Sequence, residues 1–285
     1  MMFIWGLEIT TWMVVITACL LWIKDDRVWR VSCLLTVFSC LVFGAIEPIA
    51  LIPIVLIWAA CESLKFRSRH RYIGLLFLLI IGVALGLHII PGFNNHQFLV
   101  GYQLSDTSAP FSIWFNYDKS IYGVLVLGVV FHQTLIHDRE TLFTTVSLSV
   151  PIIIIGLFLV YSIGLLIGYA QIDLTWSSTV WPWALKNLVF TVIAEEVLFR
   201  GLIQRELERG FGGSRGGVYA VLIAALLFGV AHSAGGLMYV VLATCAGCVY
   251  GYAYLRTRRI EAAIAAHFLL NLVHFMVFSY PYATS

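Results

Sequence analysis

The sequence predicts an all-α fold, a polytopic transmembrane helical bundle of about ten spans. Three observations predict it. Of the 285 residues, 61% are hydrophobic and 11% charged, whereas a soluble globular chain carries about 45–50% apolar and about 25% charged residues. Apolar stretches approaching the roughly 20 residues that cross a bilayer recur along the whole chain. The basic residues gather in alternate connections between those stretches, as the positive-inside rule requires of a correctly counted bundle. Little length remains for a soluble domain, and no nucleic-acid partner is expected.

The first stretch, near 3–23, lacks a basic leader and a small-residue cleavage site. It therefore reads as a retained helix and not as a signal peptide. Stretches near 29–46 and 48–64 meet around Glu47-Pro48 and form either two spans or one broken helical hairpin. The fourth and fifth lie near 72–91 and 120–137. The loop between them, about 92–119, mixes Gly, Asn, Pro and aromatic residues. A loop of that length reads as an ordered lid, a short hairpin or a re-entrant segment. The sixth stretch runs near 145–170, and the connection after it carries Trp176, Trp181 and Trp183, which read as an interfacial aromatic belt. The last four lie near 182–204, 217–234, 236–255 and 260–280.

Charge sets the orientation. One set of alternate connections holds Lys24, Arg27 and Arg30; Lys65, Arg67, Arg69 and Arg71; Arg139; Arg205, Arg209 and Arg215; and Arg256, Arg258 and Arg259. Of the 17 basic residues, those outside this set are Lys119, Lys186 and the intrahelical Arg200. The basic side is cytoplasmic by the positive-inside rule, so both termini face away from the cytoplasm. The expected location is a multi-pass integral membrane protein, in the cytoplasmic membrane if the source is bacterial. Six cysteines all fall in apolar stretches, and Cys245-x-x-Cys248 lies in an apolar helix with no second pair. They read as small buried hydrophobes and not as a redox or metal motif.

Ionisable side chains are costly at membrane depth, and they mark function there. The seventh stretch contains Glu195, Glu196 and Arg200. Glu196 and Arg200 are four apart, so they share a helix face and read as an intramembrane ion pair. Glu195 is rotated about 100° away and is left to face a cavity, as general-base work needs. In the eighth stretch Phe228 and His232 are four apart, so the ring packs beneath the imidazole. In the tenth, His267 and Asn271 share a face beside Ala262, Ala263, Ala265 and Ala266, which permit close helix approach. That His/Asn stripe serves either ordinary interhelical bonding or donation to an oxyanion. In the ninth, Ala243, Gly247 and Gly251 form a small-residue stripe that reads as packing alone. At about 1.5 Å per residue, Glu195 lies roughly 20 Å, His232 roughly 24 Å and Asn271 roughly 16 Å from the cytoplasmic ends of their helices. These depths overlap near the middle of the membrane.

Glu195-Glu196-x-x-x-Arg200, Phe228-x-x-x-His232 and His267-x-x-x-Asn271, in that order on apolar helices, resemble the three motifs of the CPBP (CAAX protease and bacteriocin-processing, Abi) family. The resemblance covers about residues 182–280. It implies a catalytic core of about four helices over 181–285; the N-terminal region of about six helices over 1–180, with its long non-cytoplasmic loop near 92–119, comes from the count of apolar stretches and is not part of the resemblance. The resemblance implies an intramembrane endopeptidase of glutamic type, in which Glu195 and His232 activate water and His267 and Asn271 stabilise the oxyanion. Glu196, Arg200 and Phe228 then support the site. No cofactor is expected; if zinc were bound, Glu195, His232 and His267 would be the ligands, but no HExxH motif is present. The implied partners are the lipid bilayer and a membrane-associated peptide or protein, whether prenylated or cleaved at a C-terminal tail. The competing readings are a catalytically silent immunity or scaffold protein and a proton-coupled transporter.

Overall fold

The structure is a computed structural model that describes residues 2–66 and 68–284. Arg67, one of the residues that set the predicted orientation, lies outside the described residues. The order is α1 (Met2–Leu20), α2 (Asp26–Val42), α3 (Leu51–Ser63), α4 (Arg69–Gly86), β1 (His96–Tyr102), β2 (Phe111–Phe115), α5 (Tyr117–Val126) and α6 (Arg139–Leu166). It continues with α7 (Val180–Asn187), α8 (Ile193–Glu196), α9 (Arg205–Phe211), α10 (Gly213–Ala231), α11 (Gly236–Thr257) and α12 (Ile260–Val277). Each of the predicted apolar stretches is helical. Among the described residues, four helices are both long and apolar enough to cross a membrane: Arg69–Gly86, Arg139–Leu166, Ser233–Thr257 and Ile260–Val277. Three further apolar helices, Gly6–Leu20, Pro48–Ser63 and Arg215–Ala231, are shorter. On α6, Phe143, Phe158 and Leu166 are more than three-quarters exposed. Apolar helix faces of that kind suit hydrocarbon and not water.

The predicted 92–119 loop is a hairpin, with β1 paired to β2. Trp176 and Trp181 are exposed, as a belt requires, but Trp183 is 1% exposed and belongs to a core. Its indole N–H donates to the Tyr280 hydroxyl (3.0 Å), and its ring stacks on Phe275 at 4.3 Å. A buried indole needs such a partner for its N–H, and Tyr280 supplies it from a distant part of the chain.

The contacts divide the chain into two units. The first runs through Phe98 and adds Trp114–His137 and Leu188–Leu198. Its centre is the buried Trp29, stacked on Trp58 (5.9 Å), with the Arg30 guanidinium over both rings. The Tyr122 hydroxyl donates to the Leu78 carbonyl (3.0 Å), and the Tyr117 hydroxyl bonds Thr11 (3.0 Å). Where α5 meets α8 the backbones nearly touch: a Cβ on Gly123 would lie 2.9 Å from the Cα and N of Ala194.

The second unit holds Leu99–Ile113, Asp138–Asn187 and the chain from Phe199 onward. The side chain of Asp138 caps α6 by accepting from the Thr141 N–H (2.8 Å). Helices α10 and α11 pack closely, since a Cβ on Gly247 would meet Ala225 at 3.1 Å. Three irregular segments are laced together by backbone bonds: Asp173 N–H to Val277 O (2.8 Å), Ser279 N–H to Gln171 O (2.9 Å) and Ala109 N–H to Tyr282 O (3.1 Å). Asp173 pins the same region by accepting from Ser105, from Thr107 (2.8 Å) and from Thr175 (3.2 Å). These hydroxyl donors, Ser105 foremost, hold its carboxyl below the usual aspartate range.

Candidate active site

The run from Val180 to Phe211 is helical but not uniformly α. The four-residue turn α8, which carries Glu195 and Glu196, lies between two π-helical segments, Leu188–Val192 and Val197–Gln204. Such π turns are rare and concentrate at functional sites. In the first unit, Phe190 is fully buried and sets edge-on against Phe115 (5.1 Å) and Tyr117 (6.0 Å), which fixes the first π segment. The close Gly123–Ala194 approach then fixes α8 itself. Adjacent in sequence, the two carboxylates differ in surroundings. Glu196 is fully buried and Glu195 is half-buried.

In the second unit the candidate residues converge on Phe228, which is 3% exposed. Its ring lies 4.5 Å from the His232 ring and 5.5 Å from that of His267. The Arg200 guanidinium carbon lies 4.7 Å from the Phe228 ring centre and 5.1 Å from that of Tyr250. Cation–π contact of this kind helps a desolvated guanidinium to stay buried. Arg200 is fully buried and donates through Nη2 to the carbonyl of Gly247 (3.0 Å). Four residues on, the buried Gln204 donates through Nε2 to the carbonyl of Gly251 (3.0 Å). The small-residue stripe on α11 therefore does more than pack, because its glycines expose carbonyls to two buried donors. A Cβ on Gly251 would come within 2.8 Å of the Gln204 amide oxygen.

His232 lies near the end of its apolar stretch, and the structure places it just past the last helical residue. It caps the C-terminus of α10, with φ −98° and ψ 15°, ahead of a short turn that ends at Gly236 (φ +83°). Its Nδ1 lies 2.7 Å from the Phe228 carbonyl oxygen. A carbonyl only accepts, so Nδ1 is the donor in this contact and Nε2 is the ring nitrogen through which His232 could act as a base. The bond also satisfies one of the carbonyls left over at a helix end.

His267 is 4% exposed and stacks face to face on Tyr250, with ring centres 4.4 Å apart and planes 11° apart. One turn further along α12, the Asn271 amide nitrogen donates to Asn187 Oδ1 (3.3 Å), and Asn187 is itself buried. Motif spacing alone does not single out Asn187, Gln204 or Tyr250. Each reaches its partner through tertiary contact. All six cysteines are thiols, with Cys245 and Cys248 half-buried. Among the described residues, no group of three or more His, Cys, Asp or Glu side chains is gathered as a metal site would require.

Residues 176–273 match the model of the type II CAAX prenyl endopeptidase Rce1-like family. This part of the chain is similar to that family. The match begins just before α7 and ends within α12, so it takes in Glu195, Glu196, Arg200, Phe228, His232, His267 and Asn271. Comparison with curated proteins and with solved structures returned no match. The apolar helices point to a membrane protein, and the matched region is similar to the type II CAAX prenyl endopeptidases.

Proposed function

We propose that the chain is an intramembrane glutamic endopeptidase whose catalytic core is 181–285 and whose multiple spans leave both termini outside the cytoplasm. The observation that carries the reading is the bond from His232 Nδ1 to the Phe228 carbonyl within the matched region, since it leaves Nε2 as the nitrogen to act as a base. In the proposed chemistry Glu195, assisted by His232, takes a proton from water. The hydroxide forms a bond to the scissile carbonyl carbon, and the carbonyl oxygen becomes an oxyanion. His267 and Asn271 hold that oxyanion. The Asn271 amide carries two donors, so the one that bonds Asn187 orients the group while the other serves the oxyanion. Collapse breaks the C–N bond, and Glu195 or His232 returns a proton to the leaving amine. Arg200 and Glu196 support the site structurally in this reading, while Phe228 spaces the imidazoles.

The proposed substrate is a membrane-associated peptide or protein, prenylated or cleaved near a C-terminal tail. The reaction as written uses no metal. If a chelator abolished cleavage and zinc restored it, Glu195, His232 and His267 would become ligands. The decisive experiment purifies the Glu195→Ala protein as a trap and identifies the polypeptides retained on it by mass spectrometry. These are then offered to the wild-type, Glu195→Ala and His232→Ala proteins. Cleavage by wild type and by neither variant is expected. Cleavage by Glu195→Ala at the wild-type rate would overturn the assignment.

A further inference from the structure

An open recess of about 390 Å³ lies among the end of α9, the start of α10 and the end of α11, all within the second unit. The proposed proteolysis makes no use of it. Arg205, Arg209 and Arg258 line it, against a single lining carboxylate, Glu208. That carboxylate is engaged on both oxygens, accepting from Gln204 Nε2 (2.9 Å) and pairing with Arg258. Glu206 pairs with Arg209 at 2.5 Å. The lining is thus net cationic, and Arg209 and Arg258 keep 48% and 64% of their side chains exposed.

The recess also takes in Gly212 and Gly213, the residue before α10 and its first residue. Both have positive φ, and a Cβ on either would meet nothing within 4 Å, so the space beside them is open. No side chain caps this helix and its first turn has no acidic residue. Guanidinium groups recognise phosphate oxygens by paired N–H donors, and the positive end of a helix adds to that preference. In the orientation proposed above, this end of the second unit faces the cytoplasm. Basic pockets between helices on that surface suit phosphate headgroups.

We propose that this recess is a phosphate-binding site, which takes either the headgroup of an anionic phospholipid or free phosphate. The test uses full-length protein in a neutral detergent. Short-chain phosphatidylglycerol, short-chain phosphatidylcholine and inorganic phosphate are added separately, and thermal unfolding is followed. A rise in midpoint with phosphatidylglycerol but not with phosphatidylcholine identifies a lipid headgroup. A rise with inorganic phosphate alone identifies the free anion. Arg258→Gln and Arg205→Gln should each weaken the response about fivefold, the effect of removing one basic group near an anionic surface. Arg256→Gln, on the exposed side and outside the recess, should leave it unchanged. A second measurement needs no variant: the effective ligand should slow phenylglyoxal modification of Arg209 and Arg258 over that of Arg215. Equal midpoint shifts with all three additives, or no protection of Arg209 and Arg258, would overturn the proposal.

Discussion

Replacing Arg200 with lysine keeps the charge and removes the planar fork. Arg200 is fully buried, donates to the Gly247 carbonyl and lies over Phe228 and Tyr250. A hydrogen bond from a charged donor contributes about 1.5–3 kcal/mol. Part of the cation–π attraction, about 0.5–1 kcal/mol, is lost as well, because a compact ammonium cannot lie over both rings and reach the carbonyl. The expected destabilisation is about 2–4 kcal/mol, which lowers the unfolding midpoint by about 5–10 °C. The assay is thermal unfolding in detergent followed by tryptophan fluorescence, for which the nine tryptophans give ample signal. Gln204→Leu is the companion variant, since it strips the parallel bond to Gly251 without touching a charge. An Arg200→Lys midpoint within about 1 °C of wild type would show that the fork geometry contributes nothing, and the account of α11 as a carbonyl ladder would fail.

Other perturbations follow from the same contacts. Gly123→Ala puts a methyl group 2.9 Å from the backbone of Ala194, which cannot move aside as a flexible side chain would. It should destabilise by about 1–3 kcal/mol and displace the turn that bears Glu195. Gly210→Ala meets nothing within 4 Å and serves as the neutral or stabilising control. Trp183→Phe should cost about 1–2 kcal/mol through the lost bond to Tyr280, measured by the same unfolding assay. Asp173 is depressed below the usual aspartate range, so its contribution is present above about pH 4 and is lost as pH falls through its lower folded value. The midpoint difference between wild type and Asp173→Asn should therefore be full at pH 7 and shrink towards pH 3; a difference that is flat across that range would refute the pinning role.

The helices were legible because burial in lipid demands long apolar runs, and such runs are visible in composition. The candidate site residues were legible because ionisable groups are rare in those runs, so Glu195, His232 and His267 stand out without a structure. Trp183 was not legible in the same way. A tryptophan near an apolar boundary serves a belt or a core equally well, and only its contacts with Phe275 and Tyr280 decide between them. His232 sits at a helix end and not within one because Gly235 and Gly236 turn the chain, and an apolar stretch does not show where its hydrogen-bond ladder stops.

Sequence by itself determined the helical class, the approximate place of each apolar helix and the identity of the candidate site residues. Each follows from local chemistry: hydropathy, spacing and the cost of a buried charge. The tertiary structure alone decided the π turns that flank α8, the carbonyl ladder from Gly247 to Gly251 and the gathering of Arg200, His232 and His267 around Phe228. It also decided that Asn187 orients Asn271. The reason is physical. A helix turn widens, a glycine carbonyl finds a donor and an imidazole finds a ring to stack on only when another segment supplies the partner, and the sequence near each residue does not contain that segment.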